Sequence, residues 1–178
     1  MTAPTLRNAI ASQDAGAIRQ IYAHYVLHSS ATFEEVPPTV SAMQQSIEYV
    51  HDRQLPFIVA EFDGRIVGYC SAKPFYGRSG FFPSVENSIF IAPHFAGRGL
   101  GSMLMRELIK QCQQRSLMNI IALIGGGDAN SGSTRLHEKF GFRRVGQIEN
   151  CGRKIGEYCS MSIYQLILPS EGEAERTA

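Results

Sequence analysis

The stretch Ala96-Gly97-Arg98-Gly99-Leu100-Gly101-Ser102 separates a run that reads as a β-strand, Val85 to Ala92, from one that reads as an α-helix, Met103 to Gln114. Three glycines in five residues join that strand-like run directly to the helix-like one. Such a turn brings backbone N–H groups to the positive end of a helix dipole, where they can cradle a phosphate. A Walker loop would end in Gly-Lys-Ser/Thr, and a Rossmann fingerprint would carry its third glycine one residue later, in the first βα unit. This turn ends in Gly-Leu-Gly-Ser at mid-chain, so neither applies. A phosphate cradle and an ordinary strand-to-helix connection both remain open on this pattern alone.

At 178 residues, 44% of them hydrophobic and 19% charged, the chain is expected to form one domain over residues 1–168. The polar end from Pro169 to Ala178 is expected to be a disordered tail. A net charge of +1 gives no bulk attraction to nucleic acid or to an anionic membrane, so any anion site is local. No apolar run approaches the roughly 20 residues of a membrane span. Cys70, Cys112, Cys151 and Cys159 form no CxxC pair, and no basic-then-apolar run stands at the N-terminus. Both observations read as a reduced, cytoplasmic protein. His24 and His28 have a spacing that can hold a metal, but no third ligand accompanies them, so no metal is predicted.

The periodicities predict the order β-α-α-β-β-β-α-β-α-β-β. Thr5 to Ala9 reads as a short strand, followed by a helix that starts at Ser12 with Asp14 and carries Ile18, Ile21, Tyr22, Tyr25 and Val26 at helical spacing. After Pro37-Pro38, Ser41 is expected to cap a second helix with Met43, Ile47 and Val50 as its apolar stripe. Pro56 to Phe62 and Arg65 to Ala72 flank Asp63-Gly64, the signature of a two-residue hairpin. Met118 to Ile124 reads as a strand covered on both faces. A short helix ending at Phe140 and two closing strands, Phe142 to Ile148 and Tyr158 to Leu168, complete the chain.

Several stretches together resemble one family: Ala31-Thr-Phe-Glu-Glu-Val-Pro-Pro-Thr39, Ser84-Val-Glu-Asn-Ser-Ile-Phe-Ile91, Gly97-Arg-Gly-Leu-Gly101, Asn130, and Leu136-His-Glu-Lys-Phe-Gly-Phe142. They look like the phosphinothricin acetyltransferase branch of the GNAT superfamily, and the match runs from about Thr5 to Pro169. The resemblance implies an α+β, three-layer GNAT fold, with a mixed sheet of about seven strands whose fourth and fifth strands splay apart. It implies transfer of acetyl from acetyl-CoA to the α-amino group of a small amino acid or analogue, such as phosphinothricin, methionine sulfoximine or methionine sulfone. A homodimer is also implied.

That chemistry makes four demands. The pyrophosphate of acetyl-CoA would lie on Gly97, Arg98, Gly99, Leu100, Gly101 and Ser102, and by resemblance its pantetheine arm would pair with the strand edge at Ile89, Phe90 and Ile91, near Asn130 and Ser133. The attacking ammonium must lose a proton, for which Glu86 is the candidate base. It stands on the strand face shared by Ser88 and Phe90, opposite Val85, Asn87, Ile89 and Ile91. An N–H near Ile89 would stabilise the oxyanion, and His137, where many superfamily members have tyrosine, is either the acid for the leaving thiolate or a structural residue. By resemblance the acceptor pocket is lined by Phe33, Glu34, Lys73, Pro74, Phe75, Arg78 and Val85, with Arg78 suited to a carboxylate.

The chain departs from the family pattern at Ala96, where Gln or Arg usually opens the loop. It departs again at Tyr158 and Ser160, where Trp and Asp are common, and in the glycine-rich turn from Gly125 to Asn130. Acetylation of a peptide or protein amine, and a catalytically silent acetyl-CoA-binding module, are the competing readings. Glu86 and His137 argue against the silent module.

Overall fold

In the computed structural model, residues 3–126 and 130–169 are described. The middle of the glycine-rich turn and, beyond Pro169, the expected disordered tail lie outside the described residues. The chain alternates as expected: β1 (Thr5–Asn8), α1 (Ala11–His28), α2 (Val40–Asp52), β2 (Phe57–Phe62), β3 (Arg65–Pro74), β4 (Ser84–Ile91), α3 (Leu100–Gln113), β5 (Asn119–Gly125), α4 (Ser131–Lys139), β6 (Arg143–Lys154) and β7 (Glu157–Ile167). The strands form one seven-stranded sheet in the order β1-β2-β3-β4-β5-β7-β6, antiparallel except for the parallel pair β4–β5.

Local chemistry sets the boundaries, in places differently from expectation. The Asp63-Gly64 turn has both residues at positive φ, +48° and +70°, the left-handed pair that joins strands with the natural sheet twist. The first helix begins after Ile10, and Asp14 acts from within its first turns, accepting from the Ile10 N–H at 2.6 Å and from Arg7. Burial opposes ionisation of that carboxyl, but these bonds outweigh it and hold its pKa below the ordinary value. In the second helix the cap is Thr39, whose Oγ1 accepts from the Ala42 N–H at 3.1 Å, rather than Ser41. Strand β6 runs six residues past its expected end at Ile148, whereas β7 is shifted by one residue, and the two form one hairpin closed by Ile155-Gly156, both at positive φ. Its outer strand is largely exposed, so it has no alternating apolar pattern, and an irregularity between Ile148 and Gly152 breaks its register.

Side-chain alternation puts the helices in two layers. Phe90 meets Tyr22 and Tyr25 of α1 on one face of the sheet, whereas Asn87 meets His137 of α4 on the other. The α3 helix shares the second face: a Cβ on Gly68 would come within 2.7 Å of Ile91 Cδ1 and 3.4 Å of Leu104 Cδ1, so glycine there lets α3 sit close to the sheet. The core lies on both faces of the sheet: Ile18, Ile47 and Phe57, which stacks on Tyr69, lie on the α1–α2 side, and Ile58, Leu104, Met105 and Leu108 on the α3 side.

Candidate active site

The parallel pair of β4 and β5 is short. It runs from Ser84↔Asn119 to Asn87↔Ala122 and stops, although β4 stays bonded to β3 as far as Ile91 and β5 to β7 as far as Gly125. Ser88 to Ile91 and Leu123 to Gly125 therefore diverge from a fork whose apex is Asn87. Backbone groups on the inner edges of such a fork have no strand partner and can bind an extended amide chain. A cleft of about 1130 Å³ passes through the fork and opens on both faces of the sheet.

On the α3–α4 face the cleft is bordered by the glycine turn and the first turns of α3 and α4. Gly97 and Gly99 take φ of +76° and +82°, which turns the chain into α3. That helix begins at Leu100, earlier than the sequence suggested, so its first-turn N–H groups at Leu100, Gly101 and Ser102 lack intrahelical acceptors. Gly101 has a second use: a Cβ there would stand 3.2 Å from Leu136, so its absence lets α4 lie against α3. Asn130 Nδ2 donates to Gly125 O at 3.2 Å and fixes the end of β5.

His137 is 2% exposed and closes the apex of the fork. Its Nδ1 lies 2.8 Å from Ser133 O, and because a carbonyl only accepts, that nitrogen carries the proton. Nε2 is then the acceptor of the 3.1 Å bond from Asn87 Nδ2. Burial pushes the imidazole pKa down, with the Ser133 bond acting against it, so the ring is neutral. With both nitrogens occupied, His137 has no free proton for a leaving group. The geometry favours the structural role over the acid.

On the α1–α2 face the wall is made of side chains. Cross-strand register sets Lys73 opposite Glu86, Ser71 opposite Ser88 and Tyr69 opposite Phe90, all on one face. Lys73 Nζ stands 3.4 Å from Glu86 Oε1, and both side chains reach solvent. Tyr25 Oη donates to Ile91 O at 2.6 Å, so that carbonyl already has a partner. Burial raises the pKa of Tyr25 and, well above the ordinary value, that of Tyr69, so both phenols stay protonated. Above this floor lie Ala31 to Glu34, with Tyr22 Oη and Thr32 Oγ1 bonded at 2.8 Å.

The cleft gathers Phe33, Glu34, Lys73 and Glu86 with Ile89, Phe90 and Ile91, and at its other end Gly97, Gly99, Gly101, Ser102, Asn130, Ser133 and His137. Six expected residues do not line it. Val85 and Leu100 are buried in the core, Val85 because alternation turns it away from Glu86. Arg98 lies over the Phe95 ring at 5.1 Å, and Arg78 lies 5.9 Å from the ring of exposed Tyr76. Pro74 ends β3, and Phe75 packs edge-on against Phe81 at 5.6 Å. Among the described residues, no group of three or more His, Cys, Asp or Glu is placed to hold a metal.

Residues 18–142 match the model of the acetyltransferase (GNAT) family. The chain belongs to this family. It is 36% identical over 156 residues to a phosphinothricin N-acetyltransferase of Alcaligenes faecalis, covering 88% of this chain and 79% of that one. It is 32% identical over 158 residues to an L-methionine sulfoximine/L-methionine sulfone acetyltransferase of Salmonella typhimurium, covering 87% and 90%. The structure of a GNAT phosphinothricin acetyltransferase from Sinorhizobium meliloti, solved in complex with AcCoA, superposes with a TM-score of 0.89 at 33% identity over 96% of this chain and 95% of that one.

Sequence reading of this GNAT domain overlooked Asn87, Ser71 and Ser88, and took Tyr22 and Tyr25 only as a helical core stripe. A signal existed for the tyrosines. A tyrosine on a buried stripe needs a partner for its hydroxyl, and here Thr32 and Ile91 O supply them.

Proposed function

We propose that this chain is a small-molecule N-acetyltransferase that moves an acetyl group from acetyl-CoA to the α-amino group of an amino acid or analogue of the phosphinothricin or methionine sulfoximine class. The observation that carries this reading is the fork itself. An unpaired strand edge and a glycine-led helix N-terminus meet on one side of Glu86, and a chamber lined by side chains meets it on the other. The residues fit acetyl-CoA: positive-φ glycines and first-turn N–H groups suit a pyrophosphate, and the inner edges at Ser88 to Ile91 suit the amides of pantetheine.

Acetyl-CoA, when bound, supplies a thioester carbon open to attack by an amine. Glu86, with Lys73 beside its carboxylate, would accept the proton that the ammonium must shed, and an N–H near Ile89 would stabilise the negative charge on the acetyl oxygen. His137, neutral and braced, holds the apex rather than delivering a proton. Phe33, Glu34 and Lys73 line the acceptor side. The catalytic domain spans residues 1–168 and works as a homodimer; in support, β6 is an open sheet edge exposing Val145 and Ile148, with Tyr158 exposed beside it on β7. The unpaired state of Cys70, Cys112, Cys151 and Cys159 supports a cytoplasmic setting.

The test is release of free thiol from acetyl-CoA against a panel of amino acids, sulfoximines, sulfones and peptides. Turnover is expected with free amino acids or their analogues and not with peptides. Turnover confined to peptides would move the acceptor class. Binding of acetyl-CoA with no turnover on any acceptor would reduce the chain to a binding module.

A further inference from the structure

The segment between α1 and α2 has no regular helix or strand, yet it forms the outer wall of the acceptor chamber and is fastened on both sides. Towards the helices, Thr32 bonds Tyr22, and Arg19 Nε donates to Pro38 O at 2.9 Å. Towards the sheet, Phe33 fills space that two glycines leave open. A Cβ on Gly152 would stand 2.5 Å from two carbons of its ring, and one on Gly125 would meet the Ser30 carbonyl and lie 3.3 Å from Phe33 Cε2. Neither glycine has a positive φ, so what each supplies is room.

The third fastening is Lys154, at the tip of the β6–β7 hairpin. It is 5% exposed, and its Nζ donates to the carbonyl oxygen of Glu34, 120 residues away in the chain. Among the described residues no carboxylate stands within 4.0 Å of it. An ammonium withdrawn from water with one backbone oxygen as its partner is costly, and arginine or lysine placed only for solubility would stay outside. The contact therefore has a use beyond surface charge.

We propose that Lys154 is a positioning residue for the acceptor, acting through the Glu34 carbonyl. With the slots at Gly125 and Gly152 it sets how far Ala31 to Glu34 stand from Glu86, and so the size of acceptor that the chamber seats. This rests on the reading that Ala31 to Glu34 wall the acceptor site. Gly125, whose carbonyl Asn130 holds, is shared with the donor side, whereas Lys154 and Gly152 lie outside the cleft, so substitutions at those two separate the effects on the two substrates.

Lys154→Met keeps the length of the side chain and removes the donor; Lys154→Arg keeps a donor; Gly152→Ala displaces Phe33 without touching charge. For Lys154→Met and Gly152→Ala, the acceptor KM is expected to rise roughly tenfold with acetyl-CoA KM unchanged, partly restored in Lys154→Arg. Amide hydrogen exchange over residues 30–36 should quicken in both. If Lys154→Met fails to fold, Gly152→Ala carries the test alone. An acceptor KM within about twofold of wild type, or equal rises for both substrates, overturns the proposal. Should the wild type turn over no acceptor, the chemical reading fails separately: exchange that is unchanged in Lys154→Met then overturns the brace as well, and faster exchange upholds it.

Discussion

The two halves of the cleft solve different problems with different materials. The donor half is made of main chain: glycines at positive φ, the first turn of α3 and the edge of β4. The acceptor half is made of side chains from four separate stretches, Tyr22 and Tyr25, Phe33 and Glu34, Ser71 and Lys73, and Glu86 and Ser88. A donor with constant phosphates and amides can be held by groups that every residue has. An acceptor that differs between enzymes needs groups that substitution can change. Under the proposed function, backbone geometry would define the donor site and side-chain identity the acceptor site.

This division can be broken at several points. The largest effect is expected for Glu86→Gln, which removes the proton acceptor between the halves. Turnover should fall by roughly 10²- to 10⁴-fold, most near neutral pH, with acetyl-CoA affinity by calorimetry retained. Wild-type rates would remove Glu86 from the mechanism. Next is Gly99→Ala. Open space surrounds the position, so the change acts through its φ of +82° alone. A cost of about 1–2 kcal/mol should appear as roughly tenfold weaker acetyl-CoA binding with acceptor KM unchanged. An equal loss for the acceptor would mean that the halves are not independent.

The smallest effect concerns His137. Because burial depresses its pKa, the native protein binds fewer protons than the unfolded chain below the ordinary imidazole value of about 6.5. Its contribution is therefore intact above that pH and is lost as pH falls through the lowered native value. His137→Gln should be less stable than wild type near neutrality, and the gap in melting temperature should narrow on acidification. A brace also predicts modest loss of turnover. A loss as large as that of Glu86→Gln, with no pH dependence of the stability gap, would return His137 to the role of acid.

The donor half was the more legible in the sequence for a physical reason. Glycine spacing reports backbone conformation directly, and a strand followed by a helix start follows from periodicity, so the cradle from Gly97 to Ser102 is a local property. Glu86 was legible too, as a charge in an apolar strand. The acceptor half was only partly so. Lys73 and Glu34 were implied by resemblance, but Arg78 and Phe75 turned out to belong to an aromatic corner outside the cleft, and Val85 to the core. The outer strand β6 was truncated in the expectation because an exposed edge has no apolar alternation to read.

What the sequence by itself determined is the order of elements, the resemblance to the family and the glycine turn into α3, since each depends on residues close together in the chain. Only the tertiary structure decided that Nε2 of His137 faces Asn87, where β4 and β5 part, and that Lys154 reaches Glu34. Those facts depend on partners 50 or 120 residues apart, or on where strand pairing stops. Side-chain alternation predicts a face; only packing shows what stands across from it.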